Sequence, residues 1–125
     1  MAVIETPHAP EALGPYSQGR VMDDLLFTAG QIGLDPKTMK MAEGPEAQIK
    51  QVFNNILAIV RAAGGEATTV QQLTVYLTDL GDWPLVNAAM EEMFTQPFPA
   101  RTAVGVQSLP FGAVVEVSAI AAVRR

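Results

Sequence analysis

The spacing of hydrophobic positions changes along this chain, and each change marks an element. Between residues 46 and 63, Ile49, Val52, Phe53, Ile56, Val60 and Ala63 recur every three or four positions. That period predicts a helix with one apolar face, and it turns Lys50, Asn54 and Arg61 outward. Gly64-Gly65 stops it. Over residues 70–78 the period drops to two. Leu73, Val75 and Leu77 face one way, and Gln72, Thr74, Tyr76 and Thr78 the other, as in a half-buried strand. Asp82 as N-cap and Pro84 in the first turn open a second helix, which runs to about residue 95. Val86, Met90, Met93 and Phe94 form its apolar side.

The flanks alternate like strands. Residues 2–5 read as a short strand, and residues 17–22 and 25–29 as a hairpin turning at Asp23-Asp24. Between them lies an ordered loop with three prolines, which carries the only histidine, His8. Gly30 and Gly33 end the hairpin, where they let a backbone or a ligand approach closely. Residues 113–123 place Val115, Val117, Ala119, Ala121 and Val123 on one face and Glu116 and Ser118 on the other. The order is strands, helix, strand, helix, two strands. It predicts an α+β domain, a two-layer mixed sheet with both helices on one face.

One strand stands out. In Phe98-Pro99-Ala100-Arg101-Thr102-Ala103-Val104-Gly105-Val106, Pro99 stiffens the approach and an alternating run follows. One face is branched. The other reads Arg101, Ala103, Gly105: a long cation above a floor nearly without side chains. Two readings stand. Arg101 either clamps a carboxylate with its fork of donors, or reaches water or a structural acid. If the last two strands pair, Glu116 becomes a plausible neighbour of Arg101.

Composition narrows the chemistry. A chain of 125 residues is read as one domain spanning 1–125. Charged residues are 17% of it, below the usual quarter, so either some apolar surface is hidden in an oligomer or the core is well filled. The formal net charge is −5 and no basic face is visible, which disfavours nucleic acid. Cysteine is absent, so thiolate nucleophiles and cysteine metal sites are excluded. His8 alone builds no metal site. No apolar run reaches membrane-spanning length and no targeting segment opens the chain, so a cytoplasmic protein is expected. Phosphate loops, dinucleotide fingerprints and serine elbows are missing. What remains is a carboxylate-binding arginine in a pocket with few acids or bases, suited to a substrate that needs only positioning and water.

Gly14-Pro15-Tyr16-Ser17-Gln18, Phe27-Thr28-Ala29-Gly30-Gln31-Ile32, Asp35-Pro36, Val86-Asn87 and Phe98-Pro99-Ala100-Arg101-Thr102 occur here in order. In that order and spacing the chain resembles the RidA (YjgF) family of enamine/imine deaminases, over essentially its whole length. The resemblance implies a homotrimer of chorismate-mutase-like fold, with a barrel-like core and clefts between subunits. It implies hydrolysis of 2-aminoacrylate, or its 2-imino acid tautomer, to a 2-keto acid and ammonia, without a cofactor. It implies that Arg101 binds the substrate carboxylate, that Tyr16 and Asn87 line the cleft, and that Gly30 and the amide of Ala103 complete it.

Two departures bear on that expectation. The family often has cysteine where this chain has Ala103, with little consequence for a backbone amide. Family members carry a glutamate, thought to hold the hydrolytic water, at the position this reading gives to Ser118. Serine is a poor base near neutral pH. Glu116, two residues and about 7 Å away along the strand, does not simply substitute for it. The expectation is a deaminase with Arg101 and Ser118 at its centre, slower or suited to a bulkier substrate. The alternative is a non-catalytic module that binds small carboxylates or acts as a holdase.

Overall fold

The computed structural model describes residues 2–123. Strands β1 (Ala2–Ile4), β2 (Gly19–Met22) and β3 (Leu25–Thr28) precede helix α1 (Pro45–Ala62). Strand β4 (Val70–Leu77), helix α2 (Trp83–Met93), β5 (Ala100–Gly105) and β6 (Val115–Ala122) follow. Apolar periodicity located these elements to within a few residues. The second helix stops at Met93 because Phe94 turns extended, with φ −123° and ψ 157°. Asp82 occupies its N-cap position but makes no side-chain cap bond. Asp79 instead accepts from the amide of Gly81 at 2.8 Å and caps the preceding short turn.

The six strands form one sheet in the order β1-β2-β3-β6-β4-β5. Every neighbouring pair is antiparallel except β4–β5, which is joined through α2 and runs parallel. The last strand fills the gap between β3 and β4. The two final strands do not pair: β4 lies between β5 and β6, so the condition that would have made Arg101 and Glu116 neighbours is not met. The two bond to different partners across β4, with Leu73 beside Arg101 and Tyr76 opposite Glu116.

One face of the sheet is the core. Leu26, Leu73, Leu77, Val115 and Val117 are fully buried there against Ile49, Phe53 and Ile56 of α1. Val86, Ala89 and Met90 of α2 join the same cluster, and Phe94 meets Phe53 edge to face at 5.9 Å. Each fully buried aliphatic or aromatic side chain contributes about 1.5–3 kcal/mol on removal from water. The other face has no helix. Met22, Leu25 and Phe27 are exposed on it, and all six residues of β5 are exposed at the parallel edge. Among the described residues no helix is long and apolar enough to cross a membrane.

Buried amides pin the loops to this frame. Gln18, only 4% exposed, accepts from the amide of Thr6 and donates to the carbonyls of Thr6, Ala9 and Pro10. Asn55 donates to the carbonyls of Ile32 and Leu34. The proline-rich loop is therefore ordered, as expected, and His8 is exposed on it.

Candidate functional site

Arg101 sits near the start of β5, where the register turns its side chain to the helix-bearing face beside Leu73. Its guanidinium carbon stands 4.1 Å from the centre of the Trp83 ring. Nη1 donates to Oδ1 of Asn87 at 2.7 Å and lies 3.4 Å from Sδ of Met90. Trp83, Asn87 and Met90 belong to α2, so the helix that crosses from β4 to β5 holds the arginine that β5 supplies. Among the described residues no acid forms an ion pair with Arg101. The reading of Arg101 as one half of a structural ion pair therefore fails. A cavity of about 360 Å³ opens beside it, walled by Met90, Phe98 and Pro99.

The backbone of β5 adds donors. Val106 gives its amide to the carbonyl of Leu77 at 2.9 Å. In a parallel pair alternate residues bond to one neighbour. The N–H groups of Thr102 and Val104 therefore turn to β4, and those of Arg101, Ala103 and Gly105 point off the open edge. Ala103, expected at the site through its amide, presents that amide there.

A second cluster forms on β6. Phe27 pairs with Ile120 and Gln31 with Val117, so four residue steps face three and one residue is extra. The Thr28 hydroxyl accepts the amide of Ala119 at 2.9 Å and repairs the interrupted ladder. This bulge brings Gly30 against Glu116. A Cβ at Gly30 would collide with the carboxylate of Glu116, so a side chain there would push that carboxylate from its place. The approach that Gly30 was expected to permit is made by this carboxylate; at Gly33 it is made by the backbone of Gln48.

Glu116 is half-buried, and no described residue donates a hydrogen bond to its carboxylate. Desolvation by burial raises its pKa from the ordinary glutamate value. It lines a cavity of about 90 Å³ with Tyr16, Gly30 and Phe111. The Tyr16 hydroxyl accepts the amide of Leu13 at 3.1 Å, which fixes the ring at the mouth.

The candidate residues therefore fall into three groups within one chain. Arg101, Asn87 and the Ala103 amide lie at the β5 edge. Tyr16 and Gly30 lie with Glu116. Ser118 lies elsewhere: it pairs with Thr74 and faces a shallow cavity lined by Phe27, Thr28 and Gln72 on the open sheet face. Arg101 and Glu116 are two strands and three residue steps apart, on opposite faces, about 14 Å between backbones. Sequence reasoning undervalued Glu116 and passed over Trp83 and Phe111. The available signal for Glu116 was the one acid in a largely apolar strand, facing outward with Ser118.

A mixed sheet with two helices on one face, an arginine without an ion-pair partner on its open parallel edge and a carboxylate at a bulge describe a small α+β fold with two candidate site clusters. The family model described as Endoribonuclease L-PSP matches residues 6–123, and the chain belongs to that family, which includes the RidA (YjgF) proteins. The 2-iminobutanoate/2-iminopropanoate deaminase of Salmonella typhimurium is 45% identical over 125 residues, 98% of this chain and 97% of that protein. The human protein of the same name is 41% identical over 120 residues, 95% of this chain and 88% of its own length. The crystal structure of RidA from Psychrobacter sp. PAMC 21119 matches with a TM-score of 0.96 at 43% identity, covering 98% of this chain and all 100% of that one. E. coli TdcF with bound serine matches at 0.93 and 35% identity, covering 99% and 100%.

Proposed function

We propose that this protein hydrolyses 2-imino acids, and the enamines that tautomerise to them, to 2-keto acids and ammonia. The observation that carries the reading is a pair of groups without an ion-pair partner: an arginine fork held in place by Asn87 and Trp83, and the carboxylate of Glu116 facing a cavity with Tyr16 and Gly30. The names of the deaminase relatives support it, and the serine bound to TdcF is a small amino-acid carboxylate of the expected size.

In this reading Arg101 and the Ala103 amide hold the substrate carboxylate, with Asn87 orienting the guanidinium. Water adds to the imine carbon as Glu116 takes one of its protons. The C–O bond forms and that proton is returned to nitrogen, giving a carbinolamine; Glu116 then takes the hydroxyl proton as the C=O bond forms and the C–N bond breaks, and passes it to the departing nitrogen, which leaves as ammonia. One imino acid and one water give one keto acid and one ammonia, so the balance needs no cofactor. Burial, which raises the pKa of Glu116, makes its carboxylate the stronger base for taking up and returning a proton. We assign this role to Glu116 rather than Ser118, because Glu116 shares its cavity with Tyr16 and Gly30.

A small imino acid cannot span the separation between Arg101 and Glu116 in one chain. We therefore infer a homotrimer in which the β5 edge of one copy completes the Glu116 cavity of the next. The exposed open sheet face and the unpaired edge supply the surface for it. A cytoplasmic enzyme that takes imines from amino-acid dehydratases fits this chemistry. A nucleic-acid substrate is not favoured, because the only histidine is a loop residue and the net charge is −5.

The test is a coupled assay. A serine or threonine dehydratase generates the imine, and keto-acid release is followed with wild type, Arg101→Ala and Glu116→Gln. Acceleration by wild type that both variants lose supports the reading. No acceleration, or acceleration that survives in both variants, overturns it.

A further inference from the structure

Three large apolar or aromatic side chains left exposed in a single chain surround one opening. Phe111 is 70% exposed, Tyr16 51% and Leu13 50%, and all three line the cavity that Glu116 faces. Exposed apolar surface concentrated at one cavity marks a ligand subsite more often than chance scatter does.

Phe111 also departs from ordinary backbone geometry. It sits in the Pro110–Gly112 turn with φ 58° and ψ 23°, a left-handed conformation that bulky residues rarely take. Gly112 follows at φ 70°, so the left-handed bend continues through a residue that tolerates it. The turn is fixed on both sides. Pro110 locks its own φ, and its carbonyl accepts the amide of Ala113 at 3.1 Å. The amide of Val114 donates to the buried Gln48 side chain at 3.0 Å. The ring packs into no core cluster. Core packing does not account for a strained, exposed aromatic held in place this firmly; a ligand contact does.

We propose that Phe111, with Leu13, forms an apolar subsite that receives the substrate's side chain and sets its selectivity. The proposal rests on the reading of Glu116 as the hydrolytic residue. With the reacting carbon held near Glu116, the side chain points into the wall made by Phe111, Leu13 and Ile32. The preferred substrates are then 2-imino acids with branched or aromatic hydrocarbon side chains rather than the methyl of 2-iminopropanoate.

Keto-acid products probe the subsite independently of turnover. Binding of 4-methyl-2-oxopentanoate and of pyruvate is measured by calorimetry on wild type, Phe111→Ala and Phe111→Leu, with sedimentation to report assembly. The expected result is a preference of about tenfold or more for the branched acid in wild type, the scale of a few methylenes in an apolar pocket. It falls to within about twofold in Phe111→Ala and is largely retained in Phe111→Leu. An unchanged ratio in Phe111→Ala overturns the proposal. Equal loss on both acids with dissociation overturns it too, since Phe111 is then an interface contact. Failure of wild type to bind either acid also overturns it. If the imine assay fails while the binding preference follows Phe111, the hydrolytic reading falls and the subsite stands.

Discussion

Arg101→Lys keeps the charge and removes the fork. In the wild type Nη1 is engaged by Asn87 at 2.7 Å and the plane of the group rests on Trp83, which leaves Nε and Nη2 as a matched pair of donors. Lysine offers a point charge that cannot present a second parallel bond. Loss of one charge-assisted hydrogen bond removes about 1.5–3 kcal/mol. That corresponds to roughly 10- to 150-fold in kcat/KM. The loss should fall mainly on KM, because the carboxylate is gripped equally before and during reaction. The assay is steady-state keto-acid release from imines made in situ, beside a thermal melt. Because Arg101 is exposed, the midpoint should stay within about 2 °C of wild type. A Lys variant within about threefold of wild type, folded and assembled, would refute the bidentate clamp.

Glu116 should also report through stability. Burial raises its pKa, so its ionisation opposes folding: the neutral form is fully accommodated at low pH, and stability is lost as pH rises through the raised value. Glu116→Gln is thus expected to melt higher than wild type at pH 7, with the difference gone by about pH 4; a pH series of thermal melts checks it, and a gap that does not vary with pH sinks it. Gln18→Leu removes four hydrogen bonds to the loop that carries Leu13 and Tyr16. At about 1 kcal/mol each, less what water recovers as the loop opens, it should cost about 2–3 kcal/mol. Urea unfolding measures this, and a change under about 0.5 kcal/mol would show that the loop is held otherwise.

Much of this protein was legible one residue at a time. The three-to-four period of Ile49, Val52, Phe53 and Ile56 and the alternation of Val115, Val117 and Ala119 specify a helix and a strand. Burying an apolar face is a local demand that the chain expresses locally. Motif order also announced the family, and Arg101 stood out as a cation in an apolar strand. Lateral order was not legible. Nothing in the alternation of β6 says that it inserts between β3 and β4, since a strand pairs equally well with any neighbour that offers a ladder and a matching face. That one choice separated Arg101 from Glu116, while the parallel crossover from β4 to β5 brought the helix residues Trp83 and Asn87 to the arginine. The same choice set Glu116 rather than Ser118 beside Tyr16 and Gly30. Both acid and serine point to the open face, and only the bulge at Gly30, a contact between segments far apart in sequence, distinguishes them. Local pattern determined what each segment is, and tertiary packing decided which side chains meet.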